Sequence, residues 1–191
     1  MKLFIDSSTD YLLLGLVNGD TVKSFYRMGK SDHSDTLIGY LKSFLKDNNV
    51  SVDDIDALFI GKGPGSYTGI RITGTVGKVL SFVKDIKFYA FSSLDLIAAG
   101  INKDGNYLIH TKAKKLHSYY KMVNVTNGDL KELQADSFGP DAEINCDYTP
   151  YTISDEYLAN LNLAFKNILR EHLYTEADNL DYTPNYLRSS I

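Results

Sequence analysis

The chain has a single cysteine, Cys146, among its 191 residues, and it has no tryptophan. One thiol forms no disulfide within the chain and no cysteine-based zinc site, and it fits a reducing compartment. No apolar run reaches the roughly 18 residues that a membrane-spanning helix needs, so no such helix is predicted. The N-terminus reaches Asp6 after five residues, which predicts no signal peptide. We therefore expect a cytoplasmic protein.

The chain also lacks an excess of positive charge. It has 20 basic and 24 acidic residues, for a formal charge of −4. Nucleic-acid-binding surfaces normally carry a basic excess, so only a local basic patch stays open. The hydrophobic fraction of 43% is typical of a globular chain, and the length suits one large domain or two small ones.

Histidines at metal-binding spacing are missing as well. No two of them stand four residues apart, as they would on one face of a metal-binding helix. We expect each to be a surface or core residue and predict no metal site. The four are His33, His110, His117 and His172.

The first hundred residues alternate regularly between strand and helix signals. Apolar runs predict strands at residues 3–5, 11–17 and 21–28, with the hairpin signal Asn18-Gly19 between the last two. Helices are predicted at 33–47 and about 68–84, with strands at 55–60 and 87–91 and a short helix after Ser92 or Ser93. This β-β-β-α-β-α-β-α order is that of a ribonuclease-H-like half. Two such halves with mixed sheets make the actin-like (ASKHA) α/β fold.

The remaining residues predict a reduced second half. A strand at 106–110 precedes a hairpin that turns at Asn127-Gly128. We expect residues 134–153 to be irregular and 154–174 to form one helix. The predicted halves are residues 1–100 and 101–191.

Residues 61–74, which lie between a strand and a helix, contain five glycines. The segment is not a P-loop, because Thr75-Val76 stands where that motif needs lysine and a hydroxyl residue. Its glycine spacing is one residue too long for a dinucleotide fingerprint, and Ser66 lacks the flanking glycines of a nucleophile elbow. Either the glycines let strand and helix approach closely, or the helix start presents free amides to an anion.

Gly74 and Gly77 stand inside the predicted helix, where each costs about 1 kcal/mol relative to alanine. That cost indicates that something packs closely against the helix backbone. The close neighbour is either the chain's own sheet or a helix of a partner, and the sequence favours neither.

Two charged residues near the loop invite a functional interpretation. Arg71 falls in the first helical turn, where a cation is disfavoured unless an anion lies nearby. That anion could be Asp6 or Asp35 of this chain, a partner's carboxylate or a phosphate. Asp6 ends the first strand, where an acid could organise a metal, but serine and threonine follow it instead of glycine. Capping of the local turn is the favoured role.

Lys112, Lys114 and Lys115 form a local basic cluster, with Tyr119 and Tyr120 close by in sequence. Basic residues beside aromatic ones can bind RNA. Lysines also protect the solvent-exposed edge of a strand, which is the commoner explanation.

Residues 63–72, Gly-Pro-Gly-Ser-Tyr-Thr-Gly-Ile-Arg-Ile, resemble the signature of the TsaB family, also called YeaZ, of bacterial tRNA-modification proteins. Residues 5–9, 33–35 and 183–188 resemble the family's opening strand, helix start and C-terminal segment. The resemblance is strong over residues 1–100 and weak over 101–180. Residues 112–115 read Lys-Ala-Lys-Lys where the family usually carries an Asp-Ala-Arg-like segment, so the role of that segment here is open.

The resemblance implies an actin-like fold without catalytic equipment. It implies a scaffold that binds and activates a TsaD-like catalytic subunit, which forms N6-threonylcarbamoyladenosine at position 37 of tRNAs reading ANN codons. A TsaE-like ATPase would join the complex, tRNA would be reached through the complex, and the chain alone could form a homodimer. The alternative is an independent actin-like enzyme, either a small-molecule kinase or a peptidase.

The resemblance also implies where a partner binds, because the family pairs through its first two helices. It places the partner interface at His33, Leu37, Leu41, Phe44, Arg71, Gly74, Val76, Gly77 and Leu80. It implies no catalytic residue, metal or resident cofactor, and it allows ATP or ADP at the interface with the partner. The residues near such a nucleotide would be Gly63, Gly65, Ser66, Thr68, Gly69 and Arg71.

Overall fold

The computed structural model describes residues 1–29, 32–144, 147–177 and 182–187. Cys146 and Arg188, the last residue of the family-like C-terminal segment, lie outside the described residues. The strands are β1 (Lys2–Asp6), β2 (Tyr11–Asn18), β3 (Thr21–Met28), β4 (Ala57–Gly61), β5 (Lys87–Phe91), β6 (Gly105–Lys114), β7 (His117–Thr126), β8 (Asp129–Pro140), β9 (Thr149–Tyr151) and β10 (Thr175–Glu176). The helices are α1 (His33–Asp47), α2 (Tyr67–Lys84), α3 (Ser93–Ala98), α4 (Asp155–Ala159) and α5 (Leu161–Arg170), and a 3-10 turn spans Val52–Asp54.

The first sheet has the strand order β10-β5-β4-β1-β2-β3. Its centre is parallel, from β1 through β4 to β5, and its far side continues antiparallel through β2 and β3. The element order over the first hundred residues confirms the predicted β-β-β-α-β-α-β-α series. Gly19 has a φ of +57° in the predicted hairpin, a conformation that glycine adopts without steric cost.

Both faces of the first sheet are covered, as the alternation along β1 shows. Leu3 and Ile5 belong to one core, which also holds residues of α1 and α2. Phe4 points the other way, into a core shared with α3, α5 and the second sheet. Helices α1 and α2 therefore lie on one face of the first sheet, and the second sheet lies on the other.

The second sheet, of order β8-β7-β6-β9, corrects part of the prediction. Part of the segment 134–153, predicted to be irregular, is strand, because β8 continues to Pro140 and residues 149–151 form β9. Pro150 misled the prediction, but β9 is an edge strand, where the missing N–H of proline is tolerated.

The prediction of a single helix at 154–174 is also wrong. Two helices, α4 and α5, meet at Asn160, whose backbone has φ −99° and ψ 11°. The Asn160 side-chain amide donates to the Glu156 carbonyl at 3.1 Å, a local bond that competes with helix continuation. The second helix ends at Arg170, and the chain then pairs as β10 beside β5 of the first sheet.

Aromatic contacts join the two parts of the chain in one core. Phe4 stacks on Phe59 with ring centroids 4.6 Å apart, and the Phe165 ring of α5 lies 5.0 Å from Phe4. The division into halves at residue 100 stays a prediction. Among the described residues, no helix is both long and apolar enough to cross a membrane.

Candidate partner face and glycine loop

The glycine loop, residues 62–66, presses against the turn between β1 and β2. A Cβ atom at Gly65 would lie 2.1 Å from the Ser8 carbonyl oxygen, and one at Gly69 would lie 1.9 Å from that of Ser7. Atoms do not approach so closely, so only glycine allows these backbones to meet. This geometry favours close approach of strand turn and helix as the reason for the glycines.

The loop uses several of its backbone amides internally. The Gly63 amide donates to Ser93 Oγ at 3.2 Å, and the Ser66 amide donates to the Ser8 carbonyl at 2.6 Å. Ser66 caps α2, because its Oγ accepts from the Gly69 amide at 3.2 Å. These three amides are therefore engaged and do not face an anion.

Asp6 holds the adjacent turn. Its side chain is buried, and Oδ1 accepts a hydrogen bond from the Ser8 amide at 2.7 Å. Burial raises the pKa of the Asp6 carboxyl, and the Ser8 hydrogen bond opposes that rise. The capping role predicted for Asp6 is confirmed, since the carboxylate closes the turn that follows its own strand.

A C-terminal strap, residues 182–187, lies along the loop and α2. The Asn185 amide donates to the Lys62 carbonyl at 2.7 Å, and the Tyr186 ring lies 5.3 Å from the Tyr67 ring. Tyr182 is buried, and the Lys78 ammonium lies 5.6 Å from its ring centroid. The strap thus fixes the start and the middle of α2 from outside the sheet.

Helix α2 turns its small residues inward and its large apolar residues outward. Three of its apolar side chains are more than half exposed: Val79 at 54%, Phe82 at 80% and Val83 at 66%. The residues buried by the rest of the chain are mostly small: Gly69, Ile70, Thr73, Gly74, Gly77 and Ser81. A solvent-facing helix surface of this kind is typical of a surface that another molecule covers.

The two helix glycines pack against the chain itself, and their place in a partner interface stays a prediction. A Cβ at Gly77 would lie 2.8 Å from side-chain atoms of both Ile60 and Phe88 in the chain's own sheet. A Cβ at Gly74 would lie 2.6 Å from the Tyr182 ring of the strap. Both glycines therefore allow close packing within the chain.

The residues predicted on α1 also face the chain's own core, and their place in a partner interface stays a prediction. Leu37, Leu41 and Phe44 are at most 6% exposed and pack in the core beneath the helix. His33 is buried too, and neither of its ring nitrogens has a hydrogen-bond partner among the described residues. The outward side of α1 carries Ile38, which is 57% exposed.

Arg71 is exposed, and its nearest polar partner is a tyrosine of its own helix. Its Nη1 donates to the Tyr67 hydroxyl at 2.5 Å, and its guanidinium lies 5.1 Å from the centroid of the same ring. No carboxylate in the described part of the chain pairs with it. Of the anions that the sequence allowed, Asp6 and Asp35 do not pair with it, and a partner's carboxylate and a phosphate stay open. Val76 and Leu80 are half-buried beside the exposed stripe.

We define the partner face as the outward side of α1 and α2, formed by Ile38, Arg71, Val79, Phe82 and Val83. Sequence reasoning named neither Phe82 nor Ile38 among the interface residues. The helical period separates Ile38 from the buried Leu37, because neighbours in sequence lie about 100° apart around the helix axis. Phe82 stands three residues after Val79, and this spacing places the two side by side.

A cleft of about 680 Å³ opens between the first turn and the second sheet. Ser8 and Thr111 are among the residues that line it; both are buried, and neither side-chain oxygen has a hydrogen-bond partner among the described residues. Tyr67 and Tyr186 add aromatic surface, and Lys112 adds a cation at the rim. Within the described residues, no group of three or more histidine, cysteine or acidic side chains could hold a metal.

Comparison with known proteins identifies the family. A model described as TsaD, tRNA N6-adenosine threonylcarbamoyltransferase, matches residues 27–166. The chain is 35% identical to the tRNA threonylcarbamoyladenosine biosynthesis protein TsaB of Bacillus subtilis over 136 residues, 70% of this chain and 59% of that protein. The chain belongs to the TsaB (YeaZ) family, within this group of TsaD-like proteins.

Other relatives agree. TsaB of Escherichia coli is 30% identical over 98 residues, which cover 51% of this chain and 42% of that protein. The chain thus spans about half the length of these two curated TsaB relatives. YeaZ from Pseudomonas aeruginosa has a TM-score of 0.79 at 19% identity, covering 97% of this chain and 99% of that structure. This likeness confirms the predicted actin-like α/β fold, here with two mixed sheets.

Proposed function

We propose that this TsaB-family chain is a non-catalytic subunit of the complex that forms threonylcarbamoyladenosine in tRNA. It binds a TsaD-like catalytic subunit through the partner face and thereby activates it. The proposal rests on the family and on the names of the relatives, which are tRNA threonylcarbamoyladenosine biosynthesis proteins. The role would be carried out in the cytoplasm.

The observation that carries the proposal is the exposed apolar stripe on α2. Phe82 is 80% exposed, and Val79 and Val83 lie beside it on the same surface. Burying a phenylalanine side chain removes about 2–3 kcal/mol of unfavourable hydration, so leaving it in water serves a free chain poorly. Covering this stripe with a homologous subunit supplies that burial, and Arg71 at its end offers a charge to a partner's carboxylate.

A non-catalytic role is supported by the position of Asp6. Its carboxylate is buried and accepts the Ser8 amide, and a Cβ added at Gly61 would lie 2.4 Å from Asp6 Cγ. A carboxylate that organised a metal on phosphates would need open space in front of it. Here the turn at Ser8 and the end of β4 at Gly61 lie against the carboxylate, which supports a structural role for Asp6.

The further members of the assembly belong to the same proposal. A TsaE-like ATPase joins the complex. The chain meets tRNA as part of that complex. A homodimer of the free chain would use the partner face, because the same apolar stripe is available to a second copy. ATP or ADP would then be held at the interface with the TsaD-like subunit, beside the first turn of α2.

The first test is light scattering after size exclusion. The chain would be measured alone and mixed with the TsaD-like protein of the same organism, with and without ATP. A 1:1 complex that replaces both free species is expected. No complex under any condition, with the chain folded by circular dichroism, would overturn the proposal.

Variants locate the contact. Phe82→Glu places a charge in the centre of the partner face, so the complex should be lost while the free chain keeps its fold. Leu133→Glu is the matched control, because Leu133 is also an exposed apolar side chain, at 44%, but stands on β8 of the second sheet. Equal loss of the complex in both variants, or in neither, would exclude this face.

The cleft supports a second candidate, an independent enzyme of the actin-like class. Its unpartnered Ser8 and Thr111 hydroxyls could bind a small polar substrate. Metal-dependent turnover of ATP or a peptide by the pure chain, lost in Thr111→Val, would establish this candidate. Absence of turnover in the chain alone, with activity of the TsaD-like subunit restored by adding the chain, would favour the scaffold.

A further inference from the structure

A basic hairpin projects from the second sheet. It is formed by residues 112–117 at the junction of β6 and β7, and its two-residue tip is Lys115-Leu116. Lys112, Lys114 and Lys115 are all exposed. Three cations within four residues stand out in a chain whose formal charge is −4.

These lysines are not neutralised within the described part of the chain, where none of them forms an ion pair. The carboxylate of Asp141 stands close to the hairpin, but its Oδ1 accepts a hydrogen bond from Ser118 Oγ at 2.8 Å. The hairpin therefore presents unpaired positive charge to solvent, as a site for an anionic polymer does.

The tip has a backbone conformation that its side chain does not favour. Leu116 has a φ of +57° and is 69% exposed. The other non-glycine residues with positive φ in the described ranges are asparagine, aspartate or histidine, which are enriched in this region. The β7–β8 hairpin, by contrast, turns through Asn127 and Gly128, the residue types suited to it. A leucine held in this conformation in water points to a role outside the fold.

A stack of rings stands directly behind the tip. His117 lies on Phe138 with ring centroids 5.3 Å apart and an interplanar angle of 20°, and the Tyr119 ring lies 5.5 Å from Phe138. The Lys114 ammonium lies 5.6 Å from the Phe138 centroid. Unpaired lysines beside aromatic rings and an apolar tip match the two parts of RNA, its phosphates and its bases.

We propose that the hairpin of residues 112–117 contacts tRNA directly, with its lysines on the phosphate backbone and Leu116 against a base or ribose. The inference rests on the proposed function, which makes tRNA the substrate of the complex. The hairpin belongs to the layer on the opposite side of the first sheet from α1 and α2. Lys112 shares a cleft with Tyr67 of α2, but the hairpin tip, Lys115-Leu116, does not line that cleft. A TsaD-like subunit that covers Val79, Phe82 and Val83 therefore need not cover the tip.

The test measures the affinity of labelled tRNA for the complex of this chain with its TsaD-like subunit, over a series of salt concentrations. The variant replaces Lys112, Lys114 and Lys115 by alanine. We expect affinity to fall at least about tenfold near 50 mM salt, and the slope of log affinity against log salt to fall by about two, since each phosphate contact contributes 0.7–0.9.

The matched control replaces Lys23, Lys87 and Lys103, three exposed lysines elsewhere, and removes the same charge. A second variant, Leu116→Asn, keeps the lysines and suits the positive φ, so it should melt at a higher temperature and bind tRNA several-fold more weakly. Equal tRNA affinities for the hairpin and control variants would overturn the proposal. So would loss of the TsaD-like subunit from the hairpin variant with tRNA binding unchanged, because the hairpin would then be a protein contact.

Failure of the proposed function gives a different result. If the unchanged chain forms no complex with the TsaD-like protein, tRNA binding is measured at low salt for three chains alone. These are the unchanged chain, the hairpin lysine variant and the control lysine variant. Weaker tRNA binding by the hairpin variant than by the control supports the contact, and equal binding excludes it.

Discussion

Helices α1 and α2 lie on the same face of the first sheet but bury opposite kinds of side chain. Helix α1 turns Leu37, Leu41 and Phe44 to the sheet, as an amphipathic surface helix does. Helix α2 turns Gly74 and Gly77 inward and leaves large apolar side chains in water. The comparison teaches that an apolar stripe shows that a helix face will be covered, but not whether the chain itself covers it.

The largest effect should come from the inward face of α1. Leu37→Ala removes a fully buried side chain, so we expect it to lower the free energy of unfolding by about 2–5 kcal/mol. Urea denaturation followed by circular dichroism measures the change. A loss no greater than that of an outward variant such as Ile38→Ala would contradict the assignment of the two faces.

A larger side chain on the inward face of α2 should destabilise the fold through overpacking. Gly77→Val would bring new atoms against Ile60 and Phe88, so we expect a cost of about 1–3 kcal/mol in the free energy of unfolding. The same denaturation experiment applies. A stable Gly77→Val chain that fails only to bind its partner would instead place Gly77 in the interface, as the family resemblance implies.

The outward face of α2 should affect association and not folding. Phe82→Ala is expected to change the free energy of unfolding by less than about 0.5 kcal/mol. The same change should weaken binding of the TsaD-like subunit by about 2 kcal/mol, as central aromatic residues of interfaces do. Calorimetric titration of the two subunits measures the second quantity, and unchanged affinity would remove Phe82 from the proposed contact.

The smallest expected change in stability is at Gly39, a glycine with no close neighbours, unlike Gly74 and Gly77. Gly39 on α1 has no atom within 4 Å of an added Cβ, so Gly39→Ala should raise the free energy of unfolding by about 0.5–1 kcal/mol. A thermal melt at fixed protein concentration detects this gain. A loss of stability would mean that this side of α1 is also closely packed.

Much of the fold could be predicted from local signals. Asn18-Gly19 fixed the first hairpin, and the spacing of apolar residues located α1 and α2 to within a residue. The prediction failed where a distant part of the chain decides the outcome. Pro150 suits β9 only because that strand lies at an edge, beside β6. The break at Asn160 is a local feature, marked by its side-chain bond to Glu156, that helical periodicity does not register.

The candidate site was predicted less well, for a physical reason. Hydrophobic periodicity does not register glycine, threonine or serine as an inward face, so the buried side of α2 was invisible to it. Phe82, which is 80% exposed, was not among the residues predicted for the interface. Contacts with Tyr182, Ile60 and Phe88 decide the orientation of the helix, and they come from remote parts of the sequence.

The strap is synthesised after the helix that it supports in the partner face. Tyr182 packs over Gly74, and Asn185 binds the loop that begins α2, yet both residues are made long after that helix leaves the ribosome. Strand β10 likewise completes the first sheet only after the second sheet has been translated. A nascent chain thus displays α2 without its final support, and the face that receives the partner is set only when the last segment has emerged.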